Sequence, residues 1–328
     1  MQQGIKILCS GTRTFSRITI RPESRRLLSI EALEKVKLAK RVLNRNNKKS
    51  SIILIDGLNV IKEAFNAGLQ LHTFFYSNDN IFDEHFSEYI FDISDECLCK
   101  IPKWYLNSMT SVQTNRGVAA LFFKPKTSSF DEISMASDKE LLPVTLICDN
   151  VRDPGNLGNI IRSAAAANCS SVILTHGCAD PWQPKVMRSA SGSQFQLPIY
   201  YDITWGQISC SKALKSMNFY LAECMRDQYQ YLQNTRSTSH ISNEKKLVPY
   251  YDIDWTHKSG ALLAIGNEAH GFKLNTTASV TECCDITQRI TIPLCHRIQS
   301  LNVATAASII LFEASRQMDA KRHYLKSC

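Results

Sequence analysis

Three segments of the chain gather residues able to do chemistry. In the first, Asp149-Asn150-Val151-Arg152-Asp153-Pro154-Gly155-Asn156-Leu157-Gly158-Asn159-Ile160-Ile161-Arg162, a strand runs into a helix. The carboxyl end of a strand is where open α/β sheets bind ligands. Leu157, Ile160, Ile161 and Ala164 form an apolar stripe, so Asn159, Arg162 and Ser163 fall on the polar side of the same helix. Arg162 therefore projects from a helix whose start is rich in Gly and Asn. On local physics alone, a capped turn followed by a surface Arg accounts for the run equally well. With only Gly155 and Gly158, it is not a dinucleotide fingerprint, which needs three glycines.

The second segment is a buried apolar strand, Leu262-Leu263-Ala264-Ile265, running into Gly266-Asn267-Glu268-Ala269-His270-Gly271. Glycine lets backbone approach a ligand closely, and an acid such as Glu268 is unusual at the end of a buried strand. The alternative is an ordinary turn, with His270 structural or solvent-facing. The third segment joins Ile290-Thr291-Ile292-Pro293-Leu294 to Ser300-Leu301-Asn302-Val303 and a helix. Val303, Ala306, Ala307, Ile310, Leu311 and Ala314 make its apolar stripe, and Ser300 suits the N-cap. A capped core helix explains the stripe; any function rests on Ser300, Asn302 and the preceding loop.

The elements that must position these residues follow from periodicity. A helix is predicted from Ser29, with Leu33, Val36, Ala39/Lys40 and Leu43 on one side. Strands are predicted at Ser51–Asp56, Leu71–Tyr76 and Gly117–Phe123, with a helix near Asn59–Ala67 and mixed structure over 78–115. Lys124–Pro143 has linker composition. A second unit follows. Its strands are Val144–Cys148, Val172–Leu174, Phe219–Cys224 and Ala261–Ile265. Its helices are Leu157–Ala167, Lys185–Ser193 and one from Ser300 to Met318, and Asp227–Lys258 reads as a flexible insertion. Strands alternating with helices predict a mostly parallel sheet covered on both faces. The domain reading is a transit peptide or disordered basic tail at 1–28, a small α/β domain at 29–124, a linker at 125–143 and a larger α/β domain at 144–328.

Composition narrows the function classes. The 328 residues carry a formal charge of +8. Residues 1–50 hold 13 Lys/Arg against 3 Asp/Glu, and the other 278 hold 25 against 27, so the basic character is N-terminal. Residues 1–28, with Lys6, Arg13, Arg17, Arg21, Arg25 and Arg26 but only Glu23 as an acid, have the composition of a mitochondrial transit peptide. Lys35, Lys37, Lys40, Arg41, Arg45, Lys48 and Lys49 are candidate RNA contacts, a solvated helix face being the alternative. No apolar run reaches membrane-span length. The 12 cysteines form no C-x-x-C pair and no Cys/His zinc spacing; they read as reduced structural thiols, and no metal is expected.

Taken in order, the three segments resemble the motifs of the SpoU/TrmH family, ribose methyltransferases of the SPOUT superfamily. The matching residues are D-P-x-N-x-G-x-x-x-R at 153–162, G-N-E-x-x-G at 266–271, and I-P-x(6)-S-L-N-V at 292–303. Asp180-Pro181, Pro184-Lys185-Val186-Met187-Arg188-Ser189, Gly192 and Leu197-Pro198-Ile199 also match. The N-terminal match is weaker: Asp56-Gly57 stands where Glu-Gly is common, and Asn115-Arg116-Gly117 where Pro-Gln-Gly is common. With the transit-like N-terminus, the chain is most similar to the mitochondrial large-subunit rRNA 2′-O-ribose methyltransferases.

The resemblance implies an L30e-like RNA-binding domain followed by a SPOUT domain with a trefoil knot between about Gly266 and Val303. It implies S-adenosylmethionine as cofactor, held at Gly266, Ile292 and Leu301, and a homodimer built partly by the final helix. It implies Asn156, Arg162, Glu268, Ser300 and Asn302 as functional side chains. The family proposal makes Arg162 a base; a guanidinium is normally always protonated, and holding phosphate and a developing alkoxide suits it better. His296 stands where the third motif usually has Gly. A non-catalytic RNA-binding or ribosome-assembly protein of the same fold stays open at this point, as does tRNA in place of rRNA. A Rossmann oxidoreductase requires a glycine fingerprint that Ser51–Asn59 does not supply. The expected site of action is the mitochondrial matrix.

Overall fold

The computed structural model describes residues 28–44, 50–89, 93–110, 115–125, 130, 141–224, 247–257, 259–266, 288–295 and 297–327. It contains two sheets. The first is built from α1 (Ile30–Asn44), β1 (Ile52–Asp56), α2 (Leu58–Asn66), β2 (Leu71–Tyr76), β3 (Leu98–Lys100), α3 (Lys103–Met109) and β4 (Val118–Phe123). Strand order is β1-β4-β2-β3, with β4 antiparallel to both its neighbours and β2 parallel to β3. Side-chain alternation along the strands feeds two layers. Leu54, Phe75 and Leu121 face Val36, Ala39 and Val42 of α1 and Leu106 and Met109 of α3. Ile53, Ile55, Phe74 and Phe122 face Val60, Ile61 and Ala64 of α2. The mixed stretch after β2 contains a short π-helix, Phe82–Phe86, whose two Phe rings close the second layer.

The second sheet has seven parallel strands. In chain order the elements are β5 (Leu142–Cys148), α4 (Pro154–Ala166), β6 (Cys169–Thr175), α5 (Pro184–Ser189), β7 (Ile199–Ile203), α6 (Trp205–Cys210), α7 (Lys212–Lys215), β8 (Asn218–Ala222), β9 (Leu247–Pro249), β10 (Ala261–Ile265), β11 (Gln288–Thr291) and α8 (Val303–Ser327). Strand order is β7-β6-β5-β10-β8-β11-β9. Helices α4 and α8 cover one face; α6 and α7 cover the other. Central strands buried on both faces read as unbroken apolar runs, which is why β5, β6, β8 and β10 were visible in the sequence. Leu157, Ile160 and Ile161 of α4 are fully buried, and each stabilises the fold by roughly 1.5–3 kcal/mol.

Several boundaries differ from expectation. α4 begins at Pro154 rather than Leu157, because Asp153 accepts a hydrogen bond from the Asn156 N–H at 2.8 Å and caps it. α5 ends at Ser189; the chain then turns through Gly192 into a short 3₁₀ segment, Ser193–Phe195. β7, α6 and α7 were not foreseen. α8 starts at Val303, not Ser300, and extends beyond Met318 to Ser327. The stretch read as an insertion contributes structure after residue 246: β9 is an edge strand, and Trp255 is buried in the core against Tyr220. In the linker, Phe130 packs against Tyr200, and Leu142 and Pro143 already belong to β5. The segment on which the expected knot turns includes residues 267–287, outside the described residues.

Candidate active site

The sheet order brings the three motif segments to one edge. β10 lies between β5 and β8, so the end of β10 meets the start of the first motif: the Asp149 N–H donates to the Ile265 carbonyl at 2.8 Å. From there α4 is pinned by α5. The Ser189 hydroxyl donates to the Gly155 carbonyl at 2.8 Å and to Asn159 Oδ1 at 3.1 Å. Gly158 sits directly against α5. A Cβ there would collide with Ser189 Cβ and stand 2.7 Å from the Val186 carbonyl oxygen and 2.9 Å from the Ala190 nitrogen. This glycine serves helix packing.

Asn302 joins the first motif to the third. Its Nδ2 donates to Asn156 Oδ1 at 2.9 Å, while its Oδ1 accepts from the N–H groups of Ala304 at 2.9 Å and Thr305 at 3.3 Å. Asn302, not Ser300, is therefore the N-cap of α8; Ser300 is exposed two residues earlier, outside the helix. A Ser163–Ser308 hydrogen bond of 2.7 Å fastens the same two helices about two turns further on. Arg162 is exposed on α4 and makes no hydrogen bond or ion pair among the described residues. Gly155, Asn159 and Arg162 follow at i, i+4 and i+7, so Arg162 extends the face that starts at the first turn of α4.

The SpoU rRNA Methylase family model matches residues 143–312. The chain is 32% identical over 327 residues to "rRNA methyltransferase 3, mitochondrial" of Mus musculus, an alignment covering 92% of this chain and 74% of that protein. The human protein of the same name is 30% identical, covering 90% and 73%. The chain belongs to the SpoU rRNA methylase family. Two solved structures share its fold. The SpoU methyltransferase AviRb from Streptomyces viridochromogenes, in complex with AdoMet, has a TM-score of 0.66 at 23% identity, covering 87% of this chain and 99% of that one. The AdoMet-bound rRNA methyltransferase from Sinorhizobium meliloti has a TM-score of 0.68 at 23% identity, covering 88% and 97%.

In this SpoU chain, Gly266 directly follows β10, Ile292 directly follows β11, and Leu301 directly precedes the α8 cap. Thr291, at the end of β11, is buried and its hydroxyl has no hydrogen-bond partner among the described residues. At the end of β8, Glu223 accepts from Arg289 Nε at 2.9 Å. Glu268, His270 and His296 lie outside the described residues. Of the basic candidates, Lys35 is engaged by Glu31 and by the Glu96 carbonyl, both at 2.7 Å. Lys37, Lys40 and Arg41 form no ion pair among the described residues, and Arg45, Lys48 and Lys49 lie outside them.

Two structural features escaped the sequence reading. Asp149, buried after β5, accepts from the Thr175 hydroxyl at 2.8 Å and Trp205 Nε1 at 3.1 Å, and Thr175 accepts from the Asn150 N–H at 3.1 Å. This network shapes the turn leading to Asp153; the acid directly after an apolar strand was the available signal. Beneath it, the Cys178 thiol donates to the Cys148 carbonyl. Burial pushes Cys178 up to about 11 and Cys169 up to about 12, consistent with protonated structural thiols at neutral pH. Among the described residues no group of three or more His, Cys, Asp or Glu is placed to hold a metal ion.

The second feature ties the two sheets together. Arg188 of α5 forms an ion pair with Asp56, whose side chain is fully buried at the end of β1. Gly192 allows the adjoining turn to touch α2: a Cβ there would stand 2.7 Å from Glu63 Cβ. No local pattern joins positions 132 residues apart. Asp56→Ala removes the carboxylate from a guanidinium that is itself only 26% exposed. The expected cost is about 2 kcal/mol, below the full cost of a wholly buried pair because water still reaches the Arg. A urea melt measures it, and an unchanged midpoint would remove the pair from any stabilising role.

Proposed function

We propose that this chain transfers a methyl group from S-adenosylmethionine to a ribose 2′-hydroxyl of RNA, with mitochondrial large-subunit rRNA in the matrix as its substrate. The observation that carries this reading is the Asn302–Asn156 hydrogen bond, which unites two polar motif residues at the carboxyl edge of the sheet. The names of the relatives support rRNA and the mitochondrion. The cofactor named in the AviRb and Sinorhizobium structures supports S-adenosylmethionine.

The residues present fit that cofactor. Gly266, Ile292 and Leu301 would hold it largely through backbone groups, and the Thr291 hydroxyl, buried and without a partner among the described residues, is suited to a polar ligand. When bound, S-adenosylmethionine supplies a methyl group on a charged sulfonium. The chain aligns and neutralises. Arg162 holds the phosphate beside the target ribose and stabilises the oxygen as its proton passes to solvent water. Asn156, fixed by Asn302, orients the nucleotide. Glu268 and Ser300 shape the pocket around them.

In this reading the first sheet with α1–α3 is the L30e-like RNA-binding domain, 29–124, and 144–328 is the knotted SPOUT domain. Lys35, Lys37, Lys40 and Arg41, with Arg45, Lys48 and Lys49, contribute to RNA attraction. The protein works as a homodimer through α8, on which Phe312 is 50% exposed.

The decisive experiment maps 2′-O-methyl groups in mitochondrial rRNA and tRNA with and without the protein. Loss at a large-subunit rRNA position is expected. Loss in tRNA alone would move the substrate, and unchanged maps would overturn the reading. A paired substitution tests the carrying contact. Asn302→Asp keeps the α8 cap but cannot donate to Asn156; stability should hold while methyl transfer falls about tenfold, the loss of roughly one hydrogen bond. Asn302→Ala should additionally lose about 1 kcal/mol of stability with the cap. Equal rates for Asn302→Asp and wild type would make the Asn302–Asn156 contact purely architectural.

A further inference from the structure

Trp104 is out of place for a residue with only a packing role. It lies in α3, whose Leu106 and Met109 are buried, yet its own side chain is 63% exposed. Its indole stacks on the Tyr105 ring, centroids 3.7 Å apart and planes 28° from parallel. The Lys40 ammonium stands 5.9 Å from the centre of that Tyr105 ring, within cation–π range. Lys37, Lys40 and Arg41 follow at i, i+3 and i+4 on α1, and Lys103 directly precedes Trp104. None of these four cations forms an ion pair among the described residues. The acid of α1 nearest this face, Glu34, lies one turn before Lys37 and forms no ion pair among the described residues, while Glu31 is engaged by Lys35.

A lone surface aromatic needs no explanation. An exposed indole held flat on a partly buried tyrosine, beside cations that form no ion pair among the described residues, matches the two demands of single-stranded nucleic acid. Bases stack on rings, and phosphates attract Lys and Arg. We propose that Trp104, seated on Tyr105, is a platform on which an unpaired base of the RNA substrate stacks while Lys37, Lys40, Arg41 and Lys103 hold the flanking phosphates. This rests on the RNA-methylation reading and adds to it a binding site remote in sequence from all three motifs.

The test uses the full chain and an oligomer of uridine as probe. Trp182 and Trp255 are buried and Trp205 is partly so, so quenching of Trp fluorescence by the oligomer reports mainly on Trp104. Trp104→Ala should abolish most of the quench and weaken binding about tenfold, while Trp104→Phe should retain most of the affinity. Lys37→Gln and Lys40→Gln should each flatten the plot of log affinity against log salt by about 0.7, and Trp104→Ala should leave that slope unchanged. A merely structural Trp104 would not separate stacking from salt dependence in this way. S-adenosylmethionine binding, by calorimetry, should be the same in all variants.

If wild type binds the oligomer and Trp104→Ala binds it equally well, the platform is wrong and the RNA reading stands. If the platform behaves as expected but wild type methylates no RNA, the proposed activity fails and the platform survives. No binding of the oligomer by wild type overturns the platform. So does a Trp104→Ala variant that loses only self-association, which would mark a protein-binding face.

Discussion

Arg162→Ala is expected to slow methyl transfer by about 10²–10³-fold, the usual cost of removing a preorganised donor to a developing oxyanion. S-adenosylmethionine affinity should be unchanged, since the proposed cofactor positions stand at the ends of β10 and β11 and before α8, not on α4. The structural basis is the state of the side chain. Arg162 is exposed, lies on the α4 face that begins at Gly155, and is committed to no partner among the described residues. A guanidinium with no partner among the described residues, on a helix pinned by Ser189 and Asn302, is placed to meet a phosphodiester. Arg162→Lys separates charge from geometry. A Lys keeps the charge but loses the fork that grips two phosphate oxygens, so activity should fall between wild type and Ala. Single-turnover rates with saturating RNA and calorimetry of cofactor binding give both quantities. A wild-type rate in Arg162→Ala would remove this residue from the reaction.

How much of this could be read from sequence depended on whether the determinant was local. The stripe Leu157, Ile160, Ile161 and Ala164 is buried as its spacing demanded, and of the α8 stripe Val303, Ala307, Ile310, Leu311 and Ala314 are buried while Ala306 is only partly so. Strands inside the parallel sheet were legible because burial on both faces leaves little but apolar residues. β7 was not, because its Asp202 is exposed and its apolar run is short. α6 and α7, with six and four residues, are too short for a helical period to register. The α8 cap was misjudged because Ser and Asn are both good caps and only geometry decides between Ser300 and Asn302. Long-range pairing was invisible: nothing near Asp56 announces Arg188. The order of the three motifs, more than any one of them alone, carried the family resemblance and with it the activity.

A structural effect that reaches the site should come from Gly158→Ala. Elsewhere in a helix this change is favourable by about 1 kcal/mol, because alanine is the better helix former. Here the new methyl has nowhere to go. Besides Ser189 Cβ, it meets the Val186 carbonyl oxygen at 2.7 Å and the Ala190 nitrogen at 2.9 Å, and these are backbone atoms that no rotamer change can withdraw. α5 must move away from α4. Overpacking of this kind costs about 1–3 kcal/mol and sometimes more, so after the propensity gain the net expectation is a loss of about 1–2 kcal/mol in a denaturant melt. The displacement also reaches beyond packing. α5 carries both Ser189, which fixes the first turn of α4, and Arg188, which holds Asp56 of the other sheet. Methyl transfer should therefore fall even at temperatures where the variant stays folded. Gly155→Ala is the control, because its methyl meets only the Asp153 carboxylate, at 2.9 Å, a side chain that can shift. It should cost under about 1 kcal/mol, the scale of a weakened cap. If instead Gly158→Ala melted like wild type and lost only cofactor affinity, the glycine would be there for the ligand and the packing account would be wrong.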